Sequence, residues 1–328
     1  MKERITHLSG LVKHSKLLNG LIKLALSLAA FWFALHKVDF MAFASTLKNQ
    51  DHRGITEAVA MMILQIILGG MRWRLILKAL SATGKNVMTR WEALKLVYIG
   101  AFFNCCLPGT VGGDVVRVWL AKSDHIPLPV AINSVIIDRM IALIAVGLLV
   151  VVTMPLLSAA IGFNTSIVWG VMVVGAVFGL WVLKHIERLL TPWKDIHPVR
   201  WLLYFTHCLQ LLFKHHAASA VSLIYALLAH TGYCIAVYAL AQSLGITISI
   251  LQCITLVPLV VLVTTLPISV GGWGVREAGM VSMLGLAGVS QAAALALSIQ
   301  LGLLNIFINL PAGLLWLGYR KRQGTPPA

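Results

Sequence analysis

Charge is what this sequence has least of. Asp, Glu, Lys and Arg make up 11% of its 328 residues, and only 11 of them are acidic. Soluble domains carry about 25% charged residues, so a chain this poor in charge cannot clothe a water-facing surface, and a soluble globular protein is excluded. Cysteine is scarce as well. Cys105, Cys106, Cys208, Cys234 and Cys253 are the whole set, with no C-x-x-C pair and no adjoining histidine cluster. Neither a zinc site nor a disulfide framework is indicated, and the thiols are expected to pack as small apolar groups. Nothing calls for a metal or a cofactor.

What is abundant is apolar. Residues of the set AVILMFWYC reach 59% and the mean hydropathy is +0.88, which predicts an all-α polytopic membrane protein. The formal charge of +15 reads as an orientation signal, because basic residues collect in cytoplasmic loops, and not as a nucleic-acid patch. Residues 1–16 are basic, and the apolar run that follows is longer than the roughly 7–15 residues of a secretory h-region; it reads as a first transmembrane helix.

A bilayer core about 30 Å thick takes roughly 20 apolar residues in a helix. Runs of that kind are Leu17–Leu35, Ile55–Gly70, Val130–Pro155, Ser166–Leu183, Ala217–Ala241 and Gln291–Leu317. Two further apolar stretches, Trp91–Ala121 and Ile248–Leu286, are broken by the Pro/Gly clusters Leu107–Gly113 and Leu266–Gly274. Broken helices at membrane depth persist only where they are buried in protein or line a cavity, so both stretches read as re-entrant hairpins. Twenty of the 26 basic residues fall in the N-terminal segment up to and including Lys23, from Arg72 to Lys95, at Lys122, from Lys184 to Lys214, and at Arg320–Arg322. That distribution predicts six full crossings, two hairpins entering from opposite sides and both termini in the cytoplasm.

The expected organisation is a cytoplasmic segment 1–16 and a first half 17–183 with a cytoplasm-facing hairpin at about 91–121. A cytoplasmic interfacial connection 184–216 leads to a second half 217–319, with an outside-facing hairpin at about 248–287, and to a tail 320–328. The connection mixes basic residues with Trp193, Trp201 and Phe205, as an interfacial helix does, and its histidines are expected to be solvated. Gly175 and Gly179 form a G-x-x-x-G that would suit a homodimer contact.

The two halves share a motif. Leu107–Arg117 aligns without gaps on Leu266–Arg276 at an offset of 159 residues, with seven of eleven positions identical. Inverted-topology repeats with broken helices mark alternating-access transporters, whose sites lie near the midplane at the repeat interface. In each copy proline (Pro108, Pro267) stops the incoming half-helix. The glycines around it (Gly109, Gly112, Gly113; Gly271, Gly272, Gly274) give the backbone the freedom to turn. The half-helix that follows points its free N–H groups inward, an anion site.

Ionisable groups within crossings are functional candidates, because each costs roughly 2.5–3.5 kcal/mol to insert. They are Asp114, Arg117, Asp138, Arg139, Arg276 and Glu277. Arginine forks suit phosphate oxygens, with Arg117 and Arg276 standing about one turn beyond the hairpin tips. The rival reading is that these arginines neutralise Asp114 and Glu277 as structural pairs. Asn104, Asn305 and Asn309 add neutral polar groups, the last two at i,i+4 on one face, where they either line a cavity or bond between helices.

The pattern Phe103-Asn104, Leu107-Pro108-Gly109, Gly112-Gly113-Asp114, Arg117, then Asp138-Arg139, then Gly271–Glu277, resembles the flippase-like transmembrane family typified by the membrane half of lysylphosphatidylglycerol synthases. The likeness extends from about residue 15 to 320. It implies a cavity for a phospholipid headgroup and roles in transport for Arg117, Arg139, Arg276 and Glu277. The soluble aminoacyl-transferring domain of the two-domain synthases has no counterpart here, so a stand-alone member is expected, with any lipid-modifying synthase a separate partner.

The expected activity is translocation of a phosphate-bearing lipid across the bacterial cytoplasmic membrane. Aminoacylated phosphatidylglycerol, another phospholipid and a polyprenyl-phosphate-linked sugar are all candidates. Asp114, Asp138 and Glu277 would receive a cationic headgroup part or a coupling proton. A small-solute or ion transporter on the same architecture is the alternative. An integral-membrane lipid-phosphate transferase would need a nucleophile or base, and no His, Ser or Cys adjoins the motif carboxylates in sequence.

Overall fold

The computed structural model describes residues 51–81, 88–106, 111–123, 126–161, 166–193, 196–265, 269 and 272–323. Among these residues every regular element is helical. The long helices arise where apolar runs are uninterrupted: α1 (His52–Leu80), α4 (Leu128–Ile161), α5 (Ser166–Leu190), α7 (His216–Ser243) and α10 (Gln291–Gln323). Between them lie the short helices α2 (Arg90–Cys106), α3 (Gly112–Ser123), α6 (His197–Lys214), α8 (Ile250–Thr265) and α9 (Val275–Gly285). Four of the long helices, α1, α4, α7 and α10, are long and apolar enough to cross a membrane, and they contain four of the expected crossings. The apolar stretch of α5 is shorter, Trp169–Gly179. The expected first crossing, Leu17–Leu35, lies outside the described residues.

Both broken stretches are broken where the Pro/Gly clusters stand. Helix stops at Cys106 and resumes at Gly112, and stops at Thr265 and resumes at Val275. The arms are 17, 12, 16 and 11 residues long. At 1.5 Å per residue even the longest reaches only about 26 Å, short of the roughly 30 Å hydrocarbon core. In each case the arms pack on one another, α2 on α3 and α8 on α9. The order of long helix, two short helices, long helix therefore occurs twice, as α1–α4 and as α7–α10. Pro108, Gly109, Pro267 and Gly271 lie outside the described residues.

α1 and α7 form the most extensive helix pair, and small residues explain how close they come. A Cβ on Gly54 would sit 2.4 Å from the Ala239 carbonyl oxygen, so only glycine lets the α7 backbone this near. Around this pair α2 and α4 pack on α1, and α4, α8 and α10 on α7. Three buried apolar clusters hold the assembly together. One joins α1 and α7 to α8, α9 and α10, one joins α1, α4, α6 and α7, and one joins α1 to α2, α3 and α4.

One boundary differs from the sequence expectation. The run ending at Gly70 was expected to give way to a basic connection beginning at Arg72, yet α1 continues to Leu80. Beyond the cluster Arg72-Trp73-Arg74 the residues Ile76, Leu77, Ala79 and Leu80 are again apolar and buried, so the helix still has a face to bury. The connection 184–216 is likewise partly an extension, since α5 runs to Leu190 before a short 3-10 turn, Thr191–Trp193, leads to α6. α6 is amphipathic. It buries Phe205, Cys208, Leu209 and Leu212 and exposes Trp201, Tyr204 and Phe213. Gly175 and Gly179 on α5 meet nothing within 4 Å of an added Cβ.

Candidate functional site

Polar side chains inside an apolar chain are costly, so the place where they gather is the first guide to function. They gather beside the first helical hairpin. Five helices present them there: Gln65 and Arg72 on α1, Asn104 on α2, Asp114 and Arg117 on α3, Asp138 and Arg139 on α4, and Asn305 and Asn309 on α10. On α1, α3 and α10 the spacing is that of one helical face, and the side chains surround a cavity of about 230 Å³.

The acids are paired crosswise between α3 and α4. Asp138, only 3% exposed, is held from two sides: Arg72 Nε donates to Oδ1 at 2.7 Å and Arg117 Nη2 donates to Oδ2 at 3.0 Å. Asp114 accepts both arms of the Arg139 fork, from Nε at 2.7 Å and Nη2 at 2.9 Å. The rival sequence reading pairs Arg117 with Asp114, one turn away on its own helix. Instead Arg117 bonds the acid of α4 and Asp114 bonds the arginine of α4, because α3 packs on α4 and the contact between helices brings better-aligned partners than the i,i+3 neighbour. Arg117 also lies over the Trp73 ring, 4.6 Å from its centroid, an arrangement that stabilises a desolvated guanidinium. Trp73 Nε1 is in turn fixed by donating to Ser134 Oγ at 3.0 Å.

Two polar atoms at this cavity have no partner among the described residues, the Arg117 Nε donor and the Asn309 Oδ1 acceptor. Both residues are buried, at 5% and 3% exposure. Asn309 Nδ2 is engaged, donating to Asn305 Oδ1 at 2.9 Å and to the Asn305 carbonyl at 2.8 Å. Asn305 Nδ2 approaches Cys105 Sγ at 3.5 Å. The two asparagines thus line the cavity and also bond each other.

The hairpin itself is closed by backbone. A Cβ on Gly113 would fall 1.8 Å from the Gly100 carbonyl oxygen, so the arms touch at a point where neither has a side chain. Asn104 Oδ1 accepts from Gly113 N–H at 2.8 Å, satisfying one of the otherwise open amides of the first turn of α3. Gly112 opens the same helix.

The second hairpin builds a separate cluster. Glu277 is completely buried; its Oε1 accepts from Arg276 Nη2 at 2.6 Å, from Arg276 Nε at 3.0 Å and from Ser298 Oγ at 3.1 Å. Its Oε2 accepts from Gly274 N–H at the start of α9. Arg276 lies over Trp273, 4.7 Å from the ring centroid, and its guanidinium fits against Gly302 of α10, where a Cβ would come within 2.2 Å. Gly272 and Gly274 both have φ +81°, a conformation that favours glycine. Neither Arg276 nor Glu277 lines the cavity of the first hairpin, so the structure divides the predicted residues between two sites.

Four contributors were missed in the sequence. Arg72 was counted with the surface charge of a connection, and Gln65 sits unremarked in an apolar run. Trp73 carries no charge to single it out. Ser298 reaches Glu277 from 21 residues away, which no local motif announces. Ser298 and Glu277 are both fully buried, and this serine hydroxyl donates to a carboxylate already filled by arginine.

The lysylphosphatidylglycerol synthase transmembrane region, as a family, matches residues 20–313 of the chain. No curated protein matches it by sequence.

Proposed function

The chain belongs to the lysylphosphatidylglycerol synthase transmembrane family, and from that premise we propose that this multi-pass membrane protein is a lipid translocator. The substrate is a phosphate-bearing lipid whose headgroup enters the cavity beside the first hairpin while its acyl chains stay in the bilayer. The observation that carries the reading is the balance of charge at that cavity. Three arginines and two aspartates line it, leaving one guanidinium charge over in an apolar setting. Phosphate suits such a place because an arginine fork matches its oxygens. The volume of about 230 Å³ lies below the roughly 300–1,000 Å³ of pockets for whole drug-sized ligands, a size for a headgroup without its chains.

In this mechanism the segments α1–α4 and α7–α10 are inverted repeats, each carrying a re-entrant hairpin from one side of the bacterial cytoplasmic membrane. The headgroup passes between the two sites as the repeats rock. Arg117 and Arg139 receive it at the first site and Arg276 with Glu277 at the second. Both chain termini are cytoplasmic.

The test is sidedness. The protein is reconstituted into vesicles with a trace of fluorophore-labelled phosphatidylglycerol, and dithionite is added outside to bleach the exposed label. Protein-free vesicles keep about half their signal. Vesicles with the protein are expected to lose nearly all of it, and those with Arg139→Gln to lose it more slowly. The same protected fraction with and without protein would refute translocation.

A further inference from the structure

We infer that the headgroup taken by the first-hairpin cavity is a net-anionic phosphodiester carrying hydroxyls and no amine, as in a polyol phosphate. The inference rests on the translocator reading of that site and narrows its substrate class.

An aminoacylated headgroup would bring an ammonium group, which is stabilised by a carboxylate whose charge is not already matched by a guanidinium. The cavity offers none among the described residues. Both oxygens of Asp114 are taken by the Arg139 fork, and the two oxygens of Asp138 are taken by Arg72 and Arg117. The third acid, Glu277, belongs to the other site and is filled by Arg276, Ser298 and the Gly274 amide. Receiving an ammonium would set it beside carboxylates that guanidinia already neutralise, and it would add positive charge to a cavity that already holds one guanidinium in excess. Like charges at close range cost several kcal/mol.

The unpartnered atoms point to the complementary ligand. Arg117 Nε is a buried donor without an acceptor and Asn309 Oδ1 a buried acceptor without a donor. Orphaned polar groups of this kind are rare in a finished structure, and each calls for an explanation. A phosphate oxygen satisfies the first, and its charge neutralises the surplus guanidinium. A neutral O–H satisfies the second, adding no charge. Further uncharged groups at the cavity, Gln65, Asn104 and Asn305, suit further hydroxyls.

The experiment measures binding apart from transport. Detergent-purified protein is titrated with dihexanoyl phosphatidylglycerol, dihexanoyl phosphatidylcholine and dihexanoyl lysyl-phosphatidylglycerol, following the thermal midpoint. Phosphatidylglycerol is expected to bind at least about tenfold more tightly than the zwitterion and the cation, the least that one charge-assisted contact contributes. Gln65→Glu makes the cavity neutral without breaking an ion pair, and it should erase that preference. Gln65→Leu, which changes no charge, should keep it.

Equal binding of all three lipids, or tighter binding of the lysyl lipid, overturns the inference. So does an anion preference that survives Gln65→Glu in a variant with an unchanged midpoint. Glycerophosphoglycerol, the same phosphodiester headgroup without chains, is expected to compete only weakly. Competition as strong as that of the lipid would mean a soluble anion, overturning the lipid substrate and the inference built on it. Selective phosphatidylglycerol binding in a protein that fails the dithionite test would instead leave the headgroup assignment standing and remove translocation.

Discussion

Replacing Asp138 by Asn keeps the shape of the side chain and removes its charge. In the folded protein that charge lies between two guanidinia, 2.7 Å from Arg72 Nε and 3.0 Å from Arg117 Nη2, with Asp138 only 3% exposed. Asparagine retains one acceptor oxygen, so one arginine keeps a neutral hydrogen bond. The other meets an amide N–H, donor against donor. Breaking a buried ion pair from one side costs about 3–5 kcal/mol, because the partner is left charged and dry. Larger domains lose roughly 2–4 °C of melting temperature per kcal/mol, so the midpoint should fall by roughly 6–20 °C. Differential scanning fluorimetry in detergent reads this directly. Adding Arg72→Met to Asp138→Asn removes one of the two stranded charges and should recover part of the loss. A midpoint for Asp138→Asn within about 4 °C of the parent, or roughly 1 kcal/mol, would mean that the crosswise network does not hold α1, α3 and α4 together.

Gly113→Ala drives a methyl group into the Gly100 carbonyl oxygen, 1.8 Å away, and should cost about 3 kcal/mol or more, the upper end for overpacking. Gly147→Ala on α4, where nothing lies within 4 Å, is the control, and the two are compared by thermal midpoint. Glu277→Gln should lower folded yield in size-exclusion chromatography far more than Ser298→Ala. The first strands Arg276, about 3–5 kcal/mol for a buried pair broken from one side, whereas the second removes a hydroxyl that donates to Glu277 and accepts from Arg276, about 1.5–3 kcal/mol for a bond to a charged group; equal yields would argue against a structural pair at the second hairpin. An impermeant maleimide applied outside intact cells should label a cysteine introduced at Asn164 or Gly245 but not one at Lys194 or Arg322. Labelling of all four would remove the opposed orientation of the two halves.

The parts of this fold that were legible in the sequence are those set by local composition. Apolar runs of about 20 residues mark α1, α4, α7 and α10, and the two Pro/Gly clusters mark where helices stop, because proline and glycine act through the backbone alone. The end of α1 was misplaced by ten residues. Three successive residues, Arg72-Trp73-Arg74, carry the signature of a membrane–water boundary, and nothing local reveals that the first is buried against a partner on α4. The site residues were found for the same reason that their partners were mistaken. A charge in an apolar run is visible one residue at a time, whereas the choice between Asp114 and Asp138 as the acceptor for Arg117 depends on how α3 lies on α4. Likewise, Asn305 and Asn309 were placed on one face by their spacing, but whether that face meets a cavity is decided by α1 and α2.

The position of Arg72 has a consequence for how the protein is made. Its carboxylate partner is encoded 66 residues later. At a synthesis rate of roughly 5–20 residues per second, that is a delay of about 3–13 s in which α1 exists and Asp138 does not. An arginine held alone inside a bilayer is unfavourable by roughly 2.5–3.5 kcal/mol on insertion scales, and Arg74 and Lys78 lie on the same terminal turns. Until α4 emerges, leaving the C-terminal part of α1 at the membrane surface costs less than burying Arg72 without a partner. Burial of that end of α1 thus depends on an acid that α4 supplies and not on the hydrophobicity of α1 alone.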